Sequence, residues 1–331
     1  MLLTVVPMLA FLVGRVLVDD RLLRACALLI GGLSLAAAAY GLFQTFVGFP
    51  SWDQAWADRY GYAALNVVGV TRAFSTFTAA SEYAAFLAAG VVVWIAFGFR
   101  ILRLPVALAG VGVLITALWF EASRGIFVLT VLAVALLLVA RSGMPLSRAV
   151  VLGLVILGAI PLAVGRLAPT PEGQAASTLS EHQAQGLSDP FADNSSLHSH
   201  IELVREGVAE AFRNPLGRGA GAVTTAAAKF GGNAKGAEAD LGNAGLAAGI
   251  LGLMAYVAVV LLAGPRLYQM AVARRDPNSL VAFGFILVTF FQWLNGGQYA
   301  VVFLPWLAMG WADREWSIDE RDAGARVASQ V

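Results

Sequence analysis

The chain has 331 residues, of which 59% are hydrophobic and only 13% charged, with a mean hydropathy of +0.74 and a formal net charge of +1. Ordinary soluble domains are about a quarter charged, and here the apolar residues come in runs of membrane-spanning length, which excludes a soluble fold, a disordered chain and a coiled coil. A near-neutral chain lacks the basic face a nucleic-acid partner requires, and the single Cys26 allows no disulfide framework.

A hydrocarbon core about 30 Å thick takes about 20 apolar residues as helix. Taken in chain order, the spans predicted are 2–18, 25–48, 79–99, 104–120, 125–140, 149–165, 241–263, 279–294 and 299–312, an all-α polytopic transmembrane bundle of nine to ten helices in a single membrane domain, 1–331. The charge-free stretch from Pro277 to Ala312 is too long for one crossing, and Asn295-Gly296-Gly297-Gln298 punctuates it as a helical hairpin.

Arginines fall in every second connection: Arg21 and Arg24, Arg100 and Arg103, Arg141 and Arg148, Arg266, Arg274 and Arg275, then Arg314, Arg321 and Arg326 in the tail 313–331. Placing these on the cytoplasmic side satisfies the positive-inside rule and puts the two long connections, 49–78 and 166–240, outside. Met1 then starts on the exterior with almost no preceding tail and without a secretory leader, which fits either a missing N-terminal helix or a first segment that does not cross.

Polar residues held against such a background mark function. The first exterior connection carries Trp52, Trp56, Tyr60 and Tyr62, suited to stacking on sugar rings or to an interfacial aromatic belt, and ends in Arg72-Ala73-Phe74-Ser75. Glu82 lies just inside the third span. Phe120-Glu121-Ala122-Ser123-Arg124-Gly125 separates two apolar runs on the same side. In the large exterior connection, Thr170 to Ser196 has no periodicity and reads as a mobile loop. Residues 197–213 read as an amphipathic helix lying on the membrane face or over a cavity, with Leu197, Ile201, Val204, Val208, Ala211 and Phe212 on one side. Asn214-Pro215 ends it, and Gly217-Arg218-Gly219-Ala220-Gly221 follows as a helix-breaking turn rather than a phosphate cradle. His182, His198 and His200 read as solvated or capping residues. Residues two apart on a helix point about 200° away from each other, so His198 and His200 share no ligand face, and no metal site is expected. Glu238-Ala239-Asp240 leads into the seventh span.

These islands resemble, in order and spacing over about 70–255, the O-antigen ligase and polysaccharide polymerase superfamily. Ser123-Arg124-Gly125 resembles its Ser-Arg-Gly signature, and Asn214-Pro215-Leu216-Gly217-Arg218-Gly219-Ala220-Gly221 its glycine-rich stretch after an exterior helix. Glu238-Ala239-Asp240 with Gly249-Ile250-Leu251-Gly252-Leu253 resembles the acidic start and following helix of the polymerase branch. Family ligases carry a His-Asn pair at that place, which this chain lacks.

The resemblance implies a GT-C-like glycosyltransferase in a bacterial cytoplasmic membrane. It implies an undecaprenyl-diphosphate-linked glycan as donor, a sugar hydroxyl on a glycan or lipid as acceptor, no cofactor, and contact with membrane lipids. A leaving diphosphate gains charge, and in a metal-free site guanidinium forks suit its oxygens, so Arg72 and Arg124 are the candidates to bind it, with Arg205 and Arg218 behind them. Glu238, His200 and Asp240 are the candidates to take the acceptor proton, and Glu82 to orient an arginine or bind sugar. The alternative is a multi-pass transporter of an envelope component, which predicts broken helices and an internal repeat.

Overall fold

In the computed structural model, residues 5–60, 66–167, 173–190, 196–219, 221, 240–289 and 301–328 are described. Helices dominate: α1 (Val5–Leu17), α2 (Asp20–Phe46), α3 (Ser51–Tyr60), α4 (Ala80–Val93), the short α5 (Phe99–Ile101), α6 (Leu104–Glu121) and α7 (Arg124–Ser142) come first. They are followed by α8 (Leu146–Leu167), α9 (Gln174–Ser188), α10 (Ser196–Arg213), α11 (Asp240–Arg274), α12 (Pro277–Thr289) and α13 (Phe303–Ala328). A two-residue antiparallel ladder, β1 (Asn66–Val67) and β2 (Val70–Thr71), lies between α3 and α4.

The described part of each of the nine apolar runs falls largely on helix. Five are long and apolar enough to cross a membrane, Asp20–Phe46, Ala80–Ile101, Leu104–Glu121, Arg124–Ser142 and Asp240–Arg274, with shorter apolar helices at Pro7–Leu17, Leu146–Ile160 and Pro277–Thr289. The ninth forms the start of α13, which runs on as helix through the segment expected to be a tail from 313. The outward faces of α8 and α11, including Val151, Leu154 and Val155 and then Leu251, Leu261 and Leu262, are exposed and apolar, as helices bathed in lipid require. This is a multi-pass membrane protein. The hairpin expected at Asn295–Gln298, and Tyr62, lie outside the described residues.

Local chemistry sets the helix ends. Asp19 caps α2, its Oδ1 accepting from the Leu22 N–H at 2.8 Å, and Asp276 caps α12 through the N–H groups of Asn278 at 2.9 Å and Ser279 at 3.1 Å, with Pro277 beginning the helix. Gly143 ends α7 in the left-handed conformation, φ 78°.

Helices α4 and α12 form the centre of the bundle, where nearly every residue is buried. Between α4 and α5 the chain makes a π-helical turn, Trp94–Gly98, which lays the Trp94 ring against Gly110 and lets its Nε1 donate to the Gly31 carbonyl at 3.0 Å. Helices α1 and α13 approach closely through Gly14 and Gly310, where any side chain would enter the facing backbone.

Connections sort to the two ends. At one end Arg100 donates to the Arg275 carbonyl at 2.5 Å, Tyr268 to Met144 at 2.5 Å, Asn278 to Asp20 at 3.0 Å and Arg314 to Val18 at 3.0 Å. These join all five of the arginine-bearing segments. The opposite end carries 44–53, 72–82, 119–124 and 180–186, tied by the contacts of the next subsection.

One expectation fails here. The segment from Thr170 to Ser196 is not a structureless loop: Gln174–Ser188 is helical, packing on α6, α7, α8 and α2. Its buried positions, Ala176, Leu179, Ser180, Gln183 and Leu187, follow helical spacing, but two of the five are polar, so hydrophobic periodicity misses them. The predicted amphipathic helix is present as α10, and one face packs on α11 in a close approach of Gly207 to Gly242 and Gly245.

Candidate functional site

The end of the bundle opposite the arginine-rich connections holds a buried polar cluster built by five elements. Its floor is the corner between α6 and α7. Glu121 ends α6, Ala122 turns the chain in the left-handed region at φ 63°, and Arg124 begins α7. One oxygen of Glu121 accepts the Ser123 N–H at 3.0 Å, which fixes the carboxylate across the corner. Its other oxygen meets Arg72 Nη1 at 3.4 Å, with Arg72 delivered by the turn after β2. The Glu121 side chain is 0% exposed and that of Arg72 11%, so this ion pair is out of bulk water.

Helix α9 lies over the corner. Trp119 Nε1 donates to Ser180 Oγ at 3.1 Å, and Arg124 Nη2 lies 2.8 Å from Nε2 and 3.1 Å from Nδ1 of His182. One turn on, Gly186 leaves room for that guanidinium, since a Cβ there would fall on Arg124 Cζ and Nε. Burial and the two nearby guanidiniums, Arg124 first and Arg72 second, push the His182 imidazole down from its ordinary 6.5 to about 4. At neutral pH it is therefore an uncharged acceptor.

Several polar atoms here lack a hydrogen-bond partner although buried: Arg72 Nε, Arg124 Nε, Glu121 Oε1, the Tyr83 hydroxyl, and both amide atoms of Gln183. Native interiors satisfy nearly all such groups, and each orphan costs about 1–3 kcal/mol. Two guanidiniums against one carboxylate, with unpaired donors, make a locally cationic cluster suited to an anion.

Of the sequence-predicted residues, Arg72 and Arg124 are brought together here around His182. Glu82, proposed to orient an arginine, instead accepts from Thr78 Oγ1 at 2.6 Å, and the carboxylate that holds Arg72 is Glu121. The reason is directional: Glu82 faces Thr78 one turn before it, while Glu121 is aimed at Arg72 by the α6–α7 corner. His182 is the main correction, since it is no cap but, partly exposed, the partner of Arg124.

Arg205 stands exposed on α10, and Arg218 is in ion pair with Glu210, which also meets Arg213 at 3.9 Å and accepts from Asn214. The described contacts of Arg218 run to α10 and α11 rather than to the Arg72–Arg124 cluster. Asp240 opens α11 with Tyr256 Oη at 3.5 Å. Glu238 lies outside the described residues, as does the side chain of His200, whose backbone belongs to α10. Trp52 is exposed and donates to Tyr40 at 3.2 Å, while Trp56 packs under Phe74.

The glycine-rich turn has an internal role. Arg218 N donates to Leu246 O at 2.8 Å, Gly219 N to Ala247 O at 2.9 Å, and Ile250 N to Pro215 O at 3.2 Å. The turn thus docks into a break in α11 at Gly249, φ 64° and ψ −152°, and stitches the freed backbone groups. The N–H groups of Gly217, Arg218 and Gly219 are occupied by protein carbonyls. Among the described residues no group of three or more His, Cys, Asp or Glu gathers with metal-binding geometry.

Comparison with protein-family models, with curated proteins and with solved structures gives no significant match for this chain.

Proposed function

We propose that the protein is a membrane glycosyltransferase of the kind that the O-antigen ligases and polysaccharide polymerases represent. It moves a glycan from an undecaprenyl-diphosphate carrier to a sugar hydroxyl, in a bacterial cytoplasmic membrane with the Arg72–Arg124 end facing the exterior. The observation that carries this reading is the convergence of two guanidiniums, from the turn after β2 and from the start of α7, on one buried and incompletely satisfied cluster. Arg124 is also the arginine of the Ser-Arg-Gly motif.

In this mechanism the anomeric carbon–oxygen bond to the diphosphate breaks as the acceptor hydroxyl attacks. Arg72 and Arg124 stabilise the charge that develops on the leaving diphosphate. Donors fixed in a water-poor site are worth most when the charge they face grows in the transition state. Glu121 sets the fork of Arg72, and among the described residues no carboxylate pairs with Arg124. The acceptor proton goes to Glu238, with His200 and Asp240 as the neighbouring candidates, and Glu238→Gln is expected to lose turnover while keeping donor binding.

The transporter reading gains one observation, the break in α11 at Gly249. Transporters use such breaks to present backbone carbonyls and amides to an ion. Here those groups bond to the 215–219 turn, so the break holds two protein segments together and favours the enzyme. In reconstituted vesicles supplied with lipid-linked oligosaccharide and acceptor, Arg124→Ala is expected to cut transfer by at least about a hundredfold, the scale of losing one oxyanion-type donor. Membrane insertion should be unchanged. Transfer at the wild-type rate in this variant removes Arg124 from the site.

A further inference from the structure

We propose that His182 is a proton-coupled ligand of the diphosphate: as phosphate oxygens draw Arg124 away from the imidazole, His182 takes a proton from solvent and joins the two arginines as a third cationic donor. This rests on the diphosphate reading of the site and adds a residue and a coupling that the family motifs do not contain.

The geometry supports it in three ways. First, Arg124 Nη2 is shared between Nδ1 and Nε2 at 3.1 and 2.8 Å, so neither ring nitrogen holds an exclusive hydrogen bond. A charge-assisted bond to a phosphate oxygen is about twice as strong as a neutral one and displaces such a contact. Second, Arg124 Nε is buried without a partner, which leaves the guanidinium a second donor for a bidentate anion. Third, His182 and Gly186 lie one turn apart on the same face of α9, so the imidazole stands beside the channel that Gly186 leaves for the guanidinium.

The charges around the ring come from every element that packs on α9. The N-terminus of α7 brings Arg124 and the segment after β2 brings Arg72; α6 brings Glu121, which is engaged by Arg72 and Ser123. The last turn of α8 carries Arg166, exposed, and α9 itself carries Glu181, exposed. Helix α2 reaches this end with Gln44 and Phe46, which are uncharged. Burial is the largest cause that lowers the imidazole, and the arginines themselves are the second and third. An anion seated between them cancels those causes and adds attraction for the imidazolium. The ring, held at about 4 beside the two arginines, moves up on binding, so coupled proton uptake is expected to be larger at pH 6 than at pH 8.

The test is calorimetric titration of the detergent-solubilised full chain with inorganic pyrophosphate at pH 6 and pH 8, in two buffers of different ionisation enthalpy. At pH 6 the wild-type protein is expected to take up close to one proton more per bound pyrophosphate than His182→Gln. The ligand's own titration is common to both and cancels. Affinity of His182→Gln should fall about tenfold at pH 6, the worth of one charged donor, and much less at pH 8, whereas His198→Gln behaves as wild type. Because the chain holds only three histidines, the ring-carbon NMR signals of the unaltered protein give a second measurement that needs no folded His182 variant. One signal should titrate well below the ordinary histidine range and move up when pyrophosphate is added. Equal proton uptake in wild type and His182→Gln, or an unmoved signal with pyrophosphate bound, overturns the role of His182 alone. Failure of pyrophosphate to bind wild type any better than Arg124→Ala overturns the diphosphate reading together with it.

Discussion

Arg124 has neighbours that explain its position without fixing it in place: an imidazole that shares one nitrogen and a glycine that makes room for the other end of the fork. Gly186→Ala puts a methyl group where that guanidinium lies, while removing no functional group. The expected outcome is a transfer rate reduced by at least tenfold with a normal amount of folded protein in the membrane, measured beside Arg124→Ala in the same vesicles. An unaffected rate means that the guanidinium works from another position. At this scale the sequence made Arg72 and Arg124 visible, because a charge at the end of an apolar run stands out. Glu121 sat in the same island but its partner was not legible, since which carboxylate reaches Arg72 depends on the left-handed turn at Ala122. His182 was hidden for a different reason. Its meaning comes from a residue 58 positions earlier in the chain, and no local pattern encodes that distance.

At the scale of elements, α9 and α11 carry the arrangement. Helix α9 has a buried stripe in which Ser180 and Gln183 interrupt Ala176, Leu179 and Leu187, so its amphipathicity is weak although its spacing is regular. That mixture suits a helix covering a polar cluster. Helix α11 continues through Gly249 in a backbone region that is essentially reserved for glycine, and the Gly217 turn packs against it with backbone in contact. Gly249→Ala is expected to destabilise the protein by about 1–3 kcal/mol and to loosen α10 from α11. Thermal unfolding in detergent, with protease nicking between 214 and 221, checks this. Unchanged unfolding with an intact turn shows that the break is not strained. The apolar spans were legible because a hydrophobic run needs no partner to be recognised. The break was not, because a single glycine in an apolar helix is common in membranes and only its docked turn gives it a purpose.

The whole molecule sorts its polar groups by end. One end joins Arg100, Arg275, Arg314 and the caps at Asp19 and Asp276, and the other holds the Arg72–Glu121 and Arg124–His182 pairs. Under the proposed orientation, single-cysteine variants on a Cys26→Ala background should differ in labelling. Asp189→Cys, on the exposed end of α9, is expected to react with a membrane-impermeant maleimide in intact spheroplasts, and Arg103→Cys, exposed before α6, only after permeabilisation. The reverse pattern inverts the protein in the membrane, and equal labelling from outside removes the alternation.

The sequence by itself determined where the apolar helices lie and how the arginines alternate between them, because hydropathy and charge act on each segment independently of the rest. It also marked Arg72 and Arg124 as charges beside apolar runs on one side of the bundle. Only the tertiary structure decided that these two meet over Glu121, that Gln174–Ser188 is a helix laid across them, and that His182 rather than solvent stands against Arg124. Those outcomes depend on contacts between distant segments and on buried polar groups, whose desolvation is offset only by partners that the fold alone supplies.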